Sequence, residues 1–290
     1  MNYPIISFLM CVRVRTDLSK PGVRDIIKFF RDMQTKLYGD DREKVEFLIK
    51  FDTDDAYANK ALSQIKDMSF RIRPFTFDRW EGMYSAHHNY SYMLARVSPN
   101  SKFIGFCGDD SVPEHISHGV IPFLERHVNY DYVFGTNKRE MTIPNRLMHM
   151  IKYESDTIPQ NTMSINGLIE PYPIISRKFI EICGFGYHYN IDTWLSLIVS
   201  ILFNKYSIIV ARQFPNQTFG RDNIQTKEFI RDDFHLYNAD RTIYSGYKTN
   251  WNTDMENQPT YLKFAIQAAD NIYLNIKKDG RLSEYIFNSE

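Results

Sequence analysis

Five short apolar runs alternate with stretches of helical spacing over the first 135 residues, and this alternation narrows the fold more than any other feature. The runs are PIISFLMC (Pro4–Cys11), VEFLIKF (Val45–Phe51), SFRIRPF (Ser69–Phe75), FIGF (Phe103–Phe106) and YDYVFG (Tyr130–Gly135), all of strand length. Between the first two, Val23, Ile26, Ile27, Phe30, Met33 and Leu37 recur at helical spacing. Ala56–Ile65, Gly82–Val97 and Ile116–Leu124 also read as helices. Strand and helix in turn predict an α/β fold, a mostly parallel sheet with helices on both faces. After Gly135 the rhythm breaks. Helices are expected over Ser176–Ile182, Asp192–Phe203 and Thr260–Lys277, and a strand over SIIVAR (Ser207–Arg212).

Charge balance excludes one large class of partner. Lys plus Arg and Asp plus Glu both number 35, so the net charge is zero. A nucleic-acid binder needs a basic excess or a basic face, so none is expected as a partner. The cysteines, Cys11, Cys107 and Cys183, are few and widely spaced, which suits a reducing compartment and gives no zinc pattern. WLSLIVSILF (Trp194–Phe203) is too short to span a bilayer. The N-terminal run reads as a strand rather than a signal peptide. A cytoplasmic protein without a transmembrane segment is expected, peripheral to a membrane at most through its substrate.

In an open parallel sheet, ligands bind beyond the carboxyl ends of the strands, where strand order reverses. Three of the predicted strands end in charge. Arg13 and Arg15 follow the first, Asp52, Asp54 and Asp55 the second, and Asp109 and Asp110 the fourth. With strand order 3-2-1-4, the first and fourth strands are neighbours, and two arginines and two aspartates face one crevice. A diphosphate bridged by a divalent ion needs both kinds of group: hard oxygen ligands for the metal and guanidinium forks for phosphate. Each cluster also has a plain structural reading. Asp109 and Asp110 could be a solvated turn before a helix, Asp52 to Asp55 an N-cap cluster, and Asp192 a helix cap. His115 and His118 read as solvated, His87 and His88 as structural, and Trp80 and Trp194 as core before sugar-stacking groups.

With those residues in place, the sequence resembles the GT-A glycosyltransferases, and among them the family 2-like enzymes. The likeness is strong over the first half and loose over the second. CVRVR (Cys11–Arg15) sits where such enzymes carry P-T-R-x-R, and FDTDDAYA (Phe51–Ala58) looks like their D-x-D-D segment that reaches the nucleoside. RWEGMYSAHHNY (Arg79–Tyr90) is similar to their glycine loop and following helix, with Asn89 as the donor-side asparagine. GDD (Gly108–Asp110) matches the position of D-x-D, with Cys107 or Gly108 in place of its first acid. EPYPIISRKFIEICGFGYHYNIDTWLS (Glu170–Ser196) resembles the acceptor region, with Asp192 at the position of the general base.

The resemblance implies a GT-A, Rossmann-like domain. Residues 1–135 would form its nucleotide-sugar half, and 136–290 an acceptor half with a C-terminal helical region. It implies transfer from a nucleotide sugar, UDP-linked, to the hydroxyl of a glycan, lipid-linked or other acceptor by an inverting hexosyltransferase. Mn2+ or Mg2+ would sit on Asp110, with or without Asp109. Arg13, Arg15, Asp52, Asp54, Asn89 and Asp109 would meet the donor, and Asp192 would act as base.

A sugar-phosphate nucleotidyltransferase, which shares a similar sheet, would need a Gly-rich loop with Arg after the first strand, and CVRVRTDLSKPG (Cys11–Gly22) has none; two other classes compete. LIKFDTDDA could belong to a haloacid dehalogenase-like phosphohydrolase, although its D-x-D would then fall on the second strand. A degenerate transferase that binds nucleotide sugars without turnover is compatible with the missing first acid of D-x-D. P-loop, G-x-G-x-x-G and H-E-x-x-H motifs are absent from the sequence.

Overall fold

The computed structural model describes residues 4–12, 14, 26–78, 85–107, 115–136, 173–186, 191–213 and 258–286. Among these residues seven strands form one sheet: β1 (Ile6–Val12), β2 (Val45–Asp52), β3 (Arg71–Phe77), β4 (Phe103–Phe106), β5 (Phe134–Thr136), β6 (Ile174–Ser176) and β7 (Ala211–Gln213). Their order is β3-β2-β1-β4-β6-β5-β7. β1 runs parallel to β2 and β4, β2 to β3, and β5 to β7. β6 alone is antiparallel, to both β4 and β5. The sheet is therefore the mostly parallel α/β arrangement, with the 3-2-1-4 half ordered as expected.

The helices are α1 (Ile26–Lys36), α2 (Gly39–Glu43), α3 (Ala58–Lys66), α4 (Ser85–Leu94), α5 (Ile121–His127), α6 (Arg177–Cys183), α7 (Ile191–Tyr206) and α8 (Gln258–Lys278). A π-helical turn, His115–Val120, leads into α5, where Pro122 falls at the start. Proline lacks an N–H and is tolerated only in a first turn, so it resets the ladder there.

Both faces of the sheet are covered, which is why β1 and β2 read as continuous apolar runs rather than alternating ones. On one face Phe8, Met10, Phe47 and Ile49 pack with Phe29 and Phe30 of α1. The Phe30 and Phe47 rings meet edge to face at 5.0 Å, a geometry that adds about 0.5–1.5 kcal/mol beyond the buried area. On the other face Leu9, Leu48 and Ile104 pack against α4, α6, α7 and α8. At the open edge, β3 carries Arg71, Arg73 and Pro74, residues that discourage a further strand from adding. Among the described residues no helix is long and apolar enough to cross a membrane.

Three elements depart from expectation. β6 is three residues long and runs straight into α6, so its signal merges with the helix that follows. β5 begins at Phe134 rather than Tyr130. Tyr132 instead donates its N–H to Tyr285 Oη at 3.1 Å and its hydroxyl to Asp279 at 2.7 Å, which docks the end of the chain. β7 starts at Ala211, because Ile208 bridges to Ile286 instead of joining the sheet.

Candidate functional site

Register aligns the carboxyl ends of the central strands. Cys11 of β1 lies opposite Lys50 of β2, Leu9 opposite Phe106 of β4, and Asp52 opposite Phe77 of β3. The chain goes from β1 to β2 and β3 on one side and returns to β4 on the other. The reversal point, where a ligand crevice opens in such sheets, therefore lies between β1 and β4.

Asp52 ends β2 and is buried. Lys50, two residues earlier and so on the same face, is ion-paired to its Oδ1, with the two side chains 3% and 11% exposed. The Lys50 ammonium also lies 4.8 Å from the centre of the Phe77 ring. Cys11, near the end of β1, is exposed to solvent while the residues around it in the strand are buried. Desolvation by the surrounding protein pushes its thiol up to about 12, against the lowering effects of Lys50 and of a hydrogen bond with Tyr90. It is thus a neutral thiol at pH 7 and no nucleophile.

The rest of the acidic cluster divides. Asp54 is exposed in the turn after β2. Asp55 is structural: its carboxylate accepts the N–H of Tyr57 at 3.1 Å and that of Val14 at 2.7 Å. The second bond pins the segment after β1 to the end of β2. Val14 stands between Arg13 and Arg15, which both lie outside the described residues.

α4 packs over β1 and β2. Its Asn89 is half-buried, and among the described residues its buried Oδ1 accepts no hydrogen bond. Tyr90 packs 5.2 Å from Phe106 and 5.7 Å from Phe185, tying α4, the end of β4 and the α6–α7 turn together. His87 hydrogen-bonds the backbone of Gly186, and burial, then His88, lowers its pKa, so it stays neutral at pH 7.

The α6–α7 turn closes this end of the sheet. Trp194 is buried and donates its indole N–H to Gly184 O at 3.2 Å. It is core, not a sugar platform. Gly186 has φ +70°, and a Cβ there would lie 2.7 Å from the Trp194 ring. Gly186→Ala therefore combines left-handed strain with a clash against a large buried ring. It is expected to cost about 1–3 kcal/mol or more, read as a fall in the chemical-denaturation midpoint with unchanged slope.

Asp192 falls in the first turn of α7, two residues past the cap position rather than at it as expected, and its side chain lies outside the described residues. Asp109 and Asp110 lie outside them too, as do Trp80 and the side chains of His115 and His118. Among the described residues no group of three or more His, Cys, Asp or Glu could hold a metal. The donor set expected for one, Asp109 and Asp110, is of hard carboxylate oxygens, which suits Mn2+ or Mg2+.

The structure places Asp52 at the carboxyl end of β2, and Tyr90, next to Asn89 on α4, against the end of β4 and the α6–α7 turn. It adds Lys50, Cys11, Phe77 and Tyr90, which the sequence reading passed over. Lys50 carried a usable signal: in VEFLIKFD the polar residues 46, 50 and 52 share one face of the strand.

No protein-family model matches the sequence, and no curated protein matches it significantly. Among solved structures, the chain is similar to a mannosyltransferase from Pyrobaculum calidifontis, solved with GDP-Man and Mn2+. That likeness has 10% identity and a TM-score of 0.46, over 97% of this chain and 77% of the other. It is also similar to a 4-diphosphocytidyl-2C-methyl-D-erythritol synthase from Anaerococcus prevotii, at 10% identity and TM-score 0.44, over 81% and 96%. A third is glucosyl-3-phosphoglycerate synthase from Mycobacterium tuberculosis, solved with Mg2+ and UDP, at 14% identity and TM-score 0.40, over 72% and 68%.

Proposed function

We propose that the chain is a glycosyltransferase that moves a sugar from a nucleotide-sugar donor, UDP-linked, to an acceptor hydroxyl with inversion. One observation supports this reading: Tyr90 of α4 packs on Phe106 at the end of β4 and on Phe185 of the α6–α7 turn, beside the carboxyl ends of β1 and β2 where Cys11 lies opposite Lys50. Residues 1–135 bind the donor and residues 136–290 the acceptor. Asp52 and Asn89 face the nucleoside side, with Asp54 at the rim. Arg13 or Arg15 offers a guanidinium fork to the diphosphate. Asp192, from the acceptor half, takes the proton of the attacking hydroxyl. Asp109 and Asp110 would hold Mn2+ or Mg2+, which when bound neutralises charge on the diphosphate leaving group.

The phosphohydrolase reading requires Asp52 as nucleophile. Its Oδ1 is held by Lys50, and it stands on β2 rather than on the central strand β1. Both features count against that reading.

The test is a thermal-shift panel of UDP-, GDP-, dTDP- and CDP-sugars with and without Mn2+, followed by hydrolysis assays on the binders. At least one nucleotide sugar should raise Tm further with Mn2+ present and be slowly hydrolysed. Hydrolysis of a simple phosphomonoester with no nucleotide-sugar shift would establish the phosphatase instead. Binding without any turnover, acceptors included, would leave a binding module.

A further inference from the structure

Resting on the reading above, we infer that Lys50 is a positioning residue for the donor. Its ammonium holds Asp52 as an oriented hydrogen-bond acceptor for the nucleoside and does not itself touch the nucleotide. Lys50 and Asp52 lie two residues apart on one face of β2 and form an ion pair almost closed to solvent. The cation is hemmed in. The Phe77 ring lies 4.8 Å from it, and Cys11 stands opposite Lys50 on β1 with a thiol kept neutral by burial. At 3% side-chain exposure Lys50 has no open surface to present to a phosphate. Asp52, at the strand end, is the more exposed member of the pair and the one nearer the crevice.

The chemistry gives this arrangement a use. A carboxylate buried without a partner takes up a proton or turns toward water, and in doing so becomes a hydrogen-bond donor or loses its aim. Held by an ammonium, a carboxylate keeps one aim and offers its remaining lone pairs as acceptors. What such a carboxylate reads is a group that donates: a ribose hydroxyl, or the ring N–H of a uracil-type or guanine-type base. The ion pair also removes net charge from a crevice that must admit a diphosphate beside Asp52, Asp54 and Asp55. A lone aspartate there would repel it.

A double-mutant comparison tests this. The probe is UDP, or GDP where UDP is not bound, titrated by calorimetry with Mn2+ against the parent, Asp52→Asn, Lys50→Met, Lys50→Arg and Lys50→Met/Asp52→Asn. Asp52→Asn should weaken binding about tenfold or more, as expected for loss of a charged hydrogen bond. Adding Lys50→Met to it should change affinity by no more than about twofold, because two residues that act through one contact are not additive. Lys50→Arg should restore most of the affinity that Lys50→Met loses. Should Lys50→Met alone fail to fold, the comparison of Asp52→Asn with the uncharged double variant still decides the matter. A further loss beyond about threefold in the double variant would mean that Lys50 contacts the nucleotide directly, and would overturn the inference. Undiminished binding by Asp52→Asn would overturn it as well. A parent that binds neither UDP nor GDP removes the donor reading itself, and that failure is seen before any variant is compared.

Discussion

Asp192→Asn is expected to fold as the parent does, bind donor as tightly, and lose about a hundredfold or more in turnover. The base of an inverting transfer must approach the acceptor hydroxyl from the face opposite the leaving diphosphate, so it has to come from the acceptor half of the chain. On the proposed reading Asp192 does so, from the first turn of α7. That turn is well anchored: Ile191, Trp194 and Leu195 are buried, and Gly184 and Gly186 wrap the Trp194 indole. The exposed N–H groups of a helix N-terminus favour a carboxylate in its charged form, by about 0.3–1 kcal/mol at the surface, and only the charged form can take a proton. Asparagine keeps the shape and loses both the charge and the basicity. The stability cost should be limited to that dipole interaction, a Tm change of a few degrees at most. Calorimetry, calorimetric donor titration and initial rates at saturating donor check the three parts separately. A product that keeps the donor's anomeric configuration, read from proton NMR coupling, would remove the need for such a base.

Elements with long signals were legible in the sequence, and those made by contact were not. β1 and β2 are sandwiched between two helical layers, so every side chain is apolar or paired, and their apolar runs announce them. The order of β1, β2, β3 and β4 was a condition rather than a deduction, taken because it gathers the charged strand ends at one crevice, and the sheet has that order. β6 could not be read, because three residues fall below any period and its partners come from β4 and β5, far apart in sequence. The division within FDTDD was equally hidden. Asp55 caps the N–H of Val14 across 41 residues, and Asp52 pairs with a lysine inside its own strand, so three adjacent and similar-looking carboxylates differ only in what the fold places against them. Trp194, by contrast, reads as core from the sequence, and its burial agrees.

Asp110→Ala is expected to bring transfer below detection and to abolish the part of nucleotide binding that depends on Mn2+. The reason lies at the end of β4. Gly105 has no side chain, and a Cβ there would sit 2.6 Å from the Phe8 ring, so β4 can seat closely on β1 only with glycine at that position. Pairing runs on past the strand itself, with the Cys107 N–H donating to Leu9 O at 3.4 Å. The chain therefore leaves the sheet from a fixed point at the β1/β4 reversal, immediately before Gly108, Asp109 and Asp110. Two adjacent carboxylates at such a point repel each other unless a cation is shared between them, and a divalent ion there also offsets charge on a departing diphosphate. Losing it removes several kcal/mol from the transition state while leaving the apolar contacts of the donor intact. Nucleotide binding without metal should thus survive in Asp110→Ala at the parent's metal-free level. Asp109→Ala, measured beside it, separates the two carboxylates: the one whose loss removes the Mn2+ response in the titration is the ligand. Undiminished turnover by Asp110→Ala, still requiring Mn2+, would show that the ion is held elsewhere and that this carboxylate is only a turn residue.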